Sequence, residues 1–152
     1  MNPVRPRILV VSACLLVVGS LAVKAAEPED IIKYRENVMK ANGGHMGATA
    51  AILQGKVDNK NQLADHVKAL QAINKDIVSL FPKGSDFGET EALDAVWQKP
   101  ADFKKRADDA KAKSEALAKA VATSDSKNYM PRFKELNDAC KACHKDFRKE
   151  QK

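Results

Sequence analysis

Four stretches of the chain repeat apolar positions every three to four residues, the period of an amphipathic helix, and nowhere does the strict alternation of a half-buried strand occur. The first runs from Pro28 to about Gly55 and puts Ile31, Arg35, Val38, Met39, Asn42, Met46, Thr49 and Leu53 on one stripe. Pro28 suits a first helical turn, Glu29 and Asp30 suit the positive end of the helix dipole, and Gly55 offers a stop. Gly43 and Gly44 interrupt its middle at a cost of about 1 kcal/mol each against alanine. A closely packed neighbour or a kink is the expected reason, with clearance for a bound group as the alternative. The second stretch, Lys60 to Phe81, repeats Leu63, Val67, Leu70, Asn74, Ile77 and Phe81, and Pro82 and Gly84 end it. A loop through Thr90 and a short piece containing Trp97 follow.

The third stretch starts at Pro100 and has a thin stripe of Phe103, Ala107, Ala110, Ser114, Leu117 and Val121, whose alanines let helices approach closely. The fourth runs from about Asn128, an expected N-cap, to Lys149, with Pro131 tolerated in its first turn. Phe133, Leu136, Cys140, Cys143, His144 and Phe147 share one of its faces. Four such helices with short or moderate connections predict an all-α chain folded as an antiparallel up-down-up-down four-helix bundle. No repeat or second domain is evident in the 152 residues.

The segment before the first helix has a different character. Arg5 and Arg7 precede an apolar run from Ile8 to Val23, and small residues surround Lys24. This pattern predicts a signal peptide over residues 1–25, followed by a single domain over residues 26–152. The apolar run is shorter than the roughly 20 residues a spanning helix needs. Cys14 is read as an ordinary signal residue. Removing Arg5, Arg7 and Lys24, with no acid among residues 1–25, lowers the formal charge from +6 to +3. So mild an excess, spread over lysine-rich helix faces, is no argument for nucleic-acid binding.

Without Cys14 the chain keeps two cysteines, three residues apart. A disulfide closing so short a loop would constrain little. The run Cys140-Lys141-Ala142-Cys143-His144 is instead C-x-x-C-H, the attachment signature of c-type haem. On a helix, positions 140, 143 and 144 lie on one face, so two thiols can add to the vinyl groups while the imidazole reaches iron from the same side. A thioredoxin-like dithiol would need a βαβ context, and a closed zinc site four ligands; neither is present in the pattern. No acid–base pair, nucleophile–base set or phosphate loop points to an enzyme.

The ending Cys140-Lys141-Ala142-Cys143-His144-Lys145-Asp146-Phe147-Arg148 resembles the C-K-x-C-H-x-x-[YF]-R of the class II c-type cytochromes, the cytochrome c′ family. Lys33-Tyr34-Arg35-Glu36-Asn37-Val38-Met39 resembles the family's first helix, and Leu80-Phe81-Pro82, Val96-Trp97 and Phe103 its middle section. The resemblance implies one covalent haem c, with His144 as an iron ligand. It also implies a division at the sixth position, which most members leave open under a bulky apolar residue and a low-spin branch fills with Met. The matching residue is Met39. Helix rise puts Met39 roughly 16 Å and His144 roughly 8 Å from the same bundle end, with Met46 roughly 10 Å beyond Met39 and Met130 roughly 21 Å from His144.

The leading expectation is therefore a periplasmic electron-transfer cytochrome with His144 and Met39 as axial ligands. The alternatives are a five-coordinate cytochrome c′ that binds nitric oxide or carbon monoxide, and a haem-free dithiol redox protein. By the same resemblance Arg35 and Arg148 lie near the haem, a solvated surface position being the alternative for Arg35. His45 and His66 are expected to be exposed and without a role, and Trp97 to pack in the core or at the haem edge. Redox partner proteins are implied, and a homodimer through the first two helices is a further expectation from resemblance.

Overall fold

The computed structural model describes residues 26–150. The expected signal peptide, residues 1–25, lies outside the described residues, and Cys14 with it. Five α-helices form in chain order: α1 (Pro28–Leu53), α2 (Leu63–Asn74), the single-turn α3 (Ala95–Gln98), α4 (Pro100–Ala122) and α5 (Tyr129–Phe147). The long ones, α1, α2, α4 and α5, make the four-helix bundle expected from the apolar pattern, and no strand forms among the described residues. No helix among the described residues is long and apolar enough to cross a membrane.

The helix ends follow local chemistry. At the end of α1, Gly55 takes φ +67°, its N–H reaches Ile52 O at 3.1 Å, and Lys56 N–H reaches Ala51 O at 2.9 Å. This is a Schellman stop with glycine at its left-handed position. The end of α4 repeats it: Ser124 N–H reaches Val121 O at 3.1 Å and Asp125 N–H reaches Ala120 O at 2.9 Å. Here the left-handed position, φ +54°, is held by serine.

Two expectations about ends fail. The second helix stops at Asn74 rather than Phe81, and its first turn, Lys60–Gln62, is a 3₁₀ turn. Asn74 turns its side-chain amide back to Leu70 O at 2.8 Å, and Ser79 Oγ donates to Asp76 O, so local polar side chains compete with helix propagation. Asn128 sits at the N-cap of α5 but caps nothing. Its side chain bonds Asp125 at 2.6 Å instead.

Neighbouring helices bury their stripes around the ring: α1 against α2, α2 against α4, and α4 against α5, while α1 meets α5 only briefly. The core is consequently split. One cluster holds Ile52, Leu63, Val67, Leu70, Leu117, Phe133 and Leu136. The other holds Ile77, Ala92, Val96, Phe103, Ala107 and Phe147. Met46 and Cys140 edge the first, Met39 and Cys143 the second. On α1, Ile32 rather than Ile31 is buried. Gly43 and Gly44 do not mark a close helix contact, because a Cβ at either would meet no heavy atom within 4 Å. His45 and His66 are not solitary surface residues either. They are half-buried, with Nδ1 atoms 3.0 Å apart, and tie α1 to α2. Their ring centroids lie 5.3 Å apart, the nitrogen–nitrogen distance plus a ring radius at each end, so the rings meet head to head as a shared-proton hydrogen bond requires.

Candidate functional site

The gap between α1 and α5 is a cleft of about 390 Å³ whose lining is mostly apolar. Cys140, Cys143 and His144 of α5 line it together, as the i, i+3, i+4 spacing predicts. From α1 come Arg35, Met39, Asn42, Gly43 and Met46, and the floor includes Phe81, Phe103, Ala107 and Phe147. All six sequence-predicted site residues therefore reach one cavity. Met46 reaches it too, so proximity to the cleft does not by itself single out Met39 among the thioethers. Met130 packs in the apolar core instead.

The chemistry of the α5 wall is that of a ligand set held neutral. The Cys140 and Cys143 thiols are free, and burial raises both. Cys143 is pushed up to about 11, chiefly by burial, with the neighbouring Cys140 adding to it. A redox-active C-x-x-C motif needs the opposite, a stabilised thiolate. Burial, reinforced by the positive charge of Arg148 and partly opposed by Glu91, lowers His144 below the usual histidine range. That favours the neutral imidazole a metal requires. Two thiols and an imidazole on one wall, an apolar slot before them and empty space over Gly43 fit a covalently attached haem. Cys140 and Cys143 would hold it, and His144 would face its iron.

Arg35 is not the solvated surface residue of the alternative reading. Its side chain is 3% exposed and fixes the loop that borders the cleft. Nη1 donates to Leu80 O (3.3 Å) and Ser85 Oγ (3.0 Å), and Nη2 to Ser85 O (3.1 Å) and Thr90 Oγ1 (2.7 Å). The guanidinium lies 4.6 Å from the Phe81 ring centroid and 5.6 Å from that of Trp97. Trp97 donates to Pro82 O at 3.1 Å, so it serves the same loop. Arg148 is half-buried at the cleft's rim, beside an isolated bridge to Ala92. Leu93 N–H donates to Phe147 O (3.0 Å) and Lys149 N–H to Glu91 O (2.8 Å), which seats the loop against the end of α5 next to His144.

Two further lining residues have no role in the sequence reading, although both stand on its apolar stripes. Asn42 and Asn74 are buried, and Asn74 Nδ2 donates to Asn42 Oδ1 at 3.2 Å. A polar residue on a core stripe was the available signal. Arg106, paired with Asp146 at 2.8 Å, also lines the cleft; it lies on a charged face where nothing distinguished it.

The profile of the family described as Cytochrome C' matches residues 30–148. Among curated relatives, cytochrome c' of Pararhodospirillum photometricum is 35% identical over 124 residues, covering 81% of this chain and 99% of the relative. Cytochrome c-556 of Agrobacterium tumefaciens (strain II Chrys) is 36% identical over 124 residues, covering 77% of this chain and 95% of the relative. Among solved structures, cytochrome c' from Rubrivivax gelatinosus superposes with a TM-score of 0.77 at 32% identity, over 83% of this chain and 100% of that one. The nitric oxide complex of a cytochrome c prime variant from Alcaligenes xylosoxidans superposes with a TM-score of 0.76 at 25% identity, over 84% and 100%.

Proposed function

As this chain belongs to the cytochrome c′ family, whose members bind one covalent haem c, we propose that it is an exported haem protein whose sixth iron position lies open beneath Met39 and accepts nitric oxide or carbon monoxide. The observation that carries the haem site is the cleft itself, with Cys140, Cys143 and His144 on one wall and Met39 on the facing helix. The nitric oxide complex of the Alcaligenes xylosoxidans relative supports the choice of ligand.

The haem, when attached, supplies the redox-active iron and the site for a diatomic molecule. Every other part of the work falls to the chain. Cys140 and Cys143 anchor through their sulfurs, and the face of α5 sets the orientation. His144, kept neutral by burial, offers a nitrogen lone pair. Met39, Phe81, Phe103 and Phe147 exclude water. Arg148 brings positive charge to the rim, where a propionate would be welcome, and Arg35 brings it to the loop-side wall. Periplasmic location, redox partner proteins, pairing of two copies through α1 and α2, and a role as ligand binder and electron carrier rather than enzyme belong to the same proposal.

A second reading keeps the electron carrier with His144 and Met39 both on iron. It is favoured by Met39 lying on the same cleft as His144, on a flexible thioether arm. The electronic and spin-resonance spectra of the ferric holoprotein at neutral pH separate the two. An open sixth position gives high-spin iron, a ferrous form that takes up carbon monoxide readily, and a Met39→Ala variant that is also high-spin. A low-spin ferric spectrum that turns high-spin in Met39→Ala would overturn the open-site reading in favour of ligation.

A further inference from the structure

On the walls of a mostly apolar cleft whose charged residues include Arg35, Arg106 and Arg148, the paired amides of Asn42 and Asn74 form a separate, neutral polar group. Asn42 lies one turn beyond Met39 on α1, and i, i+3 positions share a face. Both asparagines line the cleft, yet Asn42 is only 8% and Asn74 only 1% exposed. Burying an amide without its partners costs free energy, so a half-satisfied pair needs a reason.

The hydrogen bonds define which way each amide points. Leu70 O can only accept, so the atom of Asn74 that meets it at 2.8 Å is the nitrogen. The same Nδ2 gives its second hydrogen to Asn42 at 3.2 Å, which makes the Asn42 atom facing it the oxygen. The Asn42 nitrogen is thereby turned away from Asn74. It has no acceptor among the described residues and is not one of the sealed unsatisfied atoms, so it opens toward the cleft that Asn42 lines. Asn74 Oδ1, by contrast, is sealed and has no donor. Asn74 thus gives one hydrogen to Leu70 O, which fixes its own orientation, and the other to Asn42, and its oxygen goes without.

We propose that Asn42, clamped by Asn74, is a ligand-recognising residue whose side-chain N–H donates a hydrogen bond to the diatomic molecule bound on the Met39 side of the cleft. The inference rests on the open-site reading above. Its chemical consequence is selectivity: a donor in an apolar pocket favours ligands that build negative charge on their outer atom over those that do not. A merely structural amide pair would link α1 to α2 and leave the bound ligand unaffected.

The test is the stretching frequency of carbon monoxide bound to the ferrous holoprotein, read by infrared spectroscopy in the wild type and in Asn42→Leu and Asn74→Leu. Loss of the donor in Asn42→Leu should move the band to higher frequency and speed ligand dissociation by about two- to tenfold, the range one net hydrogen bond supports. Asn74→Leu keeps the donor but releases its clamp, so the band should broaden or split. It also serves as the second variant if Asn42→Leu does not fold. Bound carbon monoxide with a band unchanged in both variants would overturn the inference and leave the open-site reading intact. A wild-type protein that binds neither carbon monoxide nor nitric oxide would overturn both.

Discussion

Replacing Arg35 with methionine isolates what holds the cleft's border in place. The side chain is buried, makes four hydrogen bonds of 2.7–3.3 Å to Leu80, Ser85 and Thr90, and lies over two aromatic rings. Methionine keeps most of the apolar volume and removes every donor. Two of the acceptors survive the loss: Ser85 Oγ donates to Pro82 O, and Thr90 Oγ1 accepts from Ala92 N–H. The other two, the carbonyls of Leu80 and Ser85, lose their guanidinium donors. Stranding the buried Ser85 carbonyl costs about 1–3 kcal/mol, and the half-buried Leu80 carbonyl costs less. Removing the charge recovers some of what its burial cost, an effect visible in the lowering of the Arg35 pKa from its ordinary value by burial, with Glu36 acting against it. The balance is a destabilisation of about 3 kcal/mol, measurable by urea denaturation of the holoprotein, with amide exchange accelerated selectively over residues 80–90. Arg35→Lys retains the charge but not the planar fork, and should lose roughly half as much. A loss below about 1 kcal/mol in Arg35→Met, with loop exchange unchanged, would refute the reasoning that Arg35 is the loop's anchor.

Three other outcomes follow from particular residues. Ser124→Gly should stabilise the protein by about 0.5–1 kcal/mol in the same denaturation assay, because φ +54° strains serine and not glycine; no gain would mean that the Schellman stop of α4 carries no strain. In chain made without haem but folded, Cys143 at about 11 leaves about one thiolate in ten thousand at pH 7, so alkylation by iodoacetamide should be about a hundredfold slower than in the same chain unfolded in denaturant. Equal rates would restore the dithiol reading. His66→Ala removes the partner of His45 across α1 and α2 and should cost about 1 kcal/mol at neutral pH, read by thermal denaturation; an unchanged midpoint would show that the contact contributes nothing.

Sequence periodicity located the helices well because their signals are local. Pro28 and Pro100 open α1 and α4, Gly55 closes α1, and the i, i+3, i+4 spacing of Cys140, Cys143 and His144 needs only helical geometry to share a wall. What escaped the reading depends on partners far away in the chain. Arg35 finds its acceptors 45–55 residues downstream, and His45 meets a histidine 21 residues away. No local pattern encodes either meeting. The early stop of α2 reflects Asn74 choosing a backbone carbonyl and an amide on α1, where the repeat alone favoured continuing to Phe81. The two readings of the glycine pair stay open in the sequence for a related reason: periodicity says that Gly43 is small but not whether a neighbour or a cavity occupies the space beside it, and the structure excludes the close neighbour.

All of this converges on a prosthetic group fastened to α5. The most direct measurement is the mass of the polypeptide, purified from a periplasm able to mature such proteins and then fully denatured. One haem beyond the amino-acid mass, retained in denaturant and abolished when Cys140 and Cys143 are both replaced by serine, is the expected result. A denatured chain of bare amino-acid mass would contradict it.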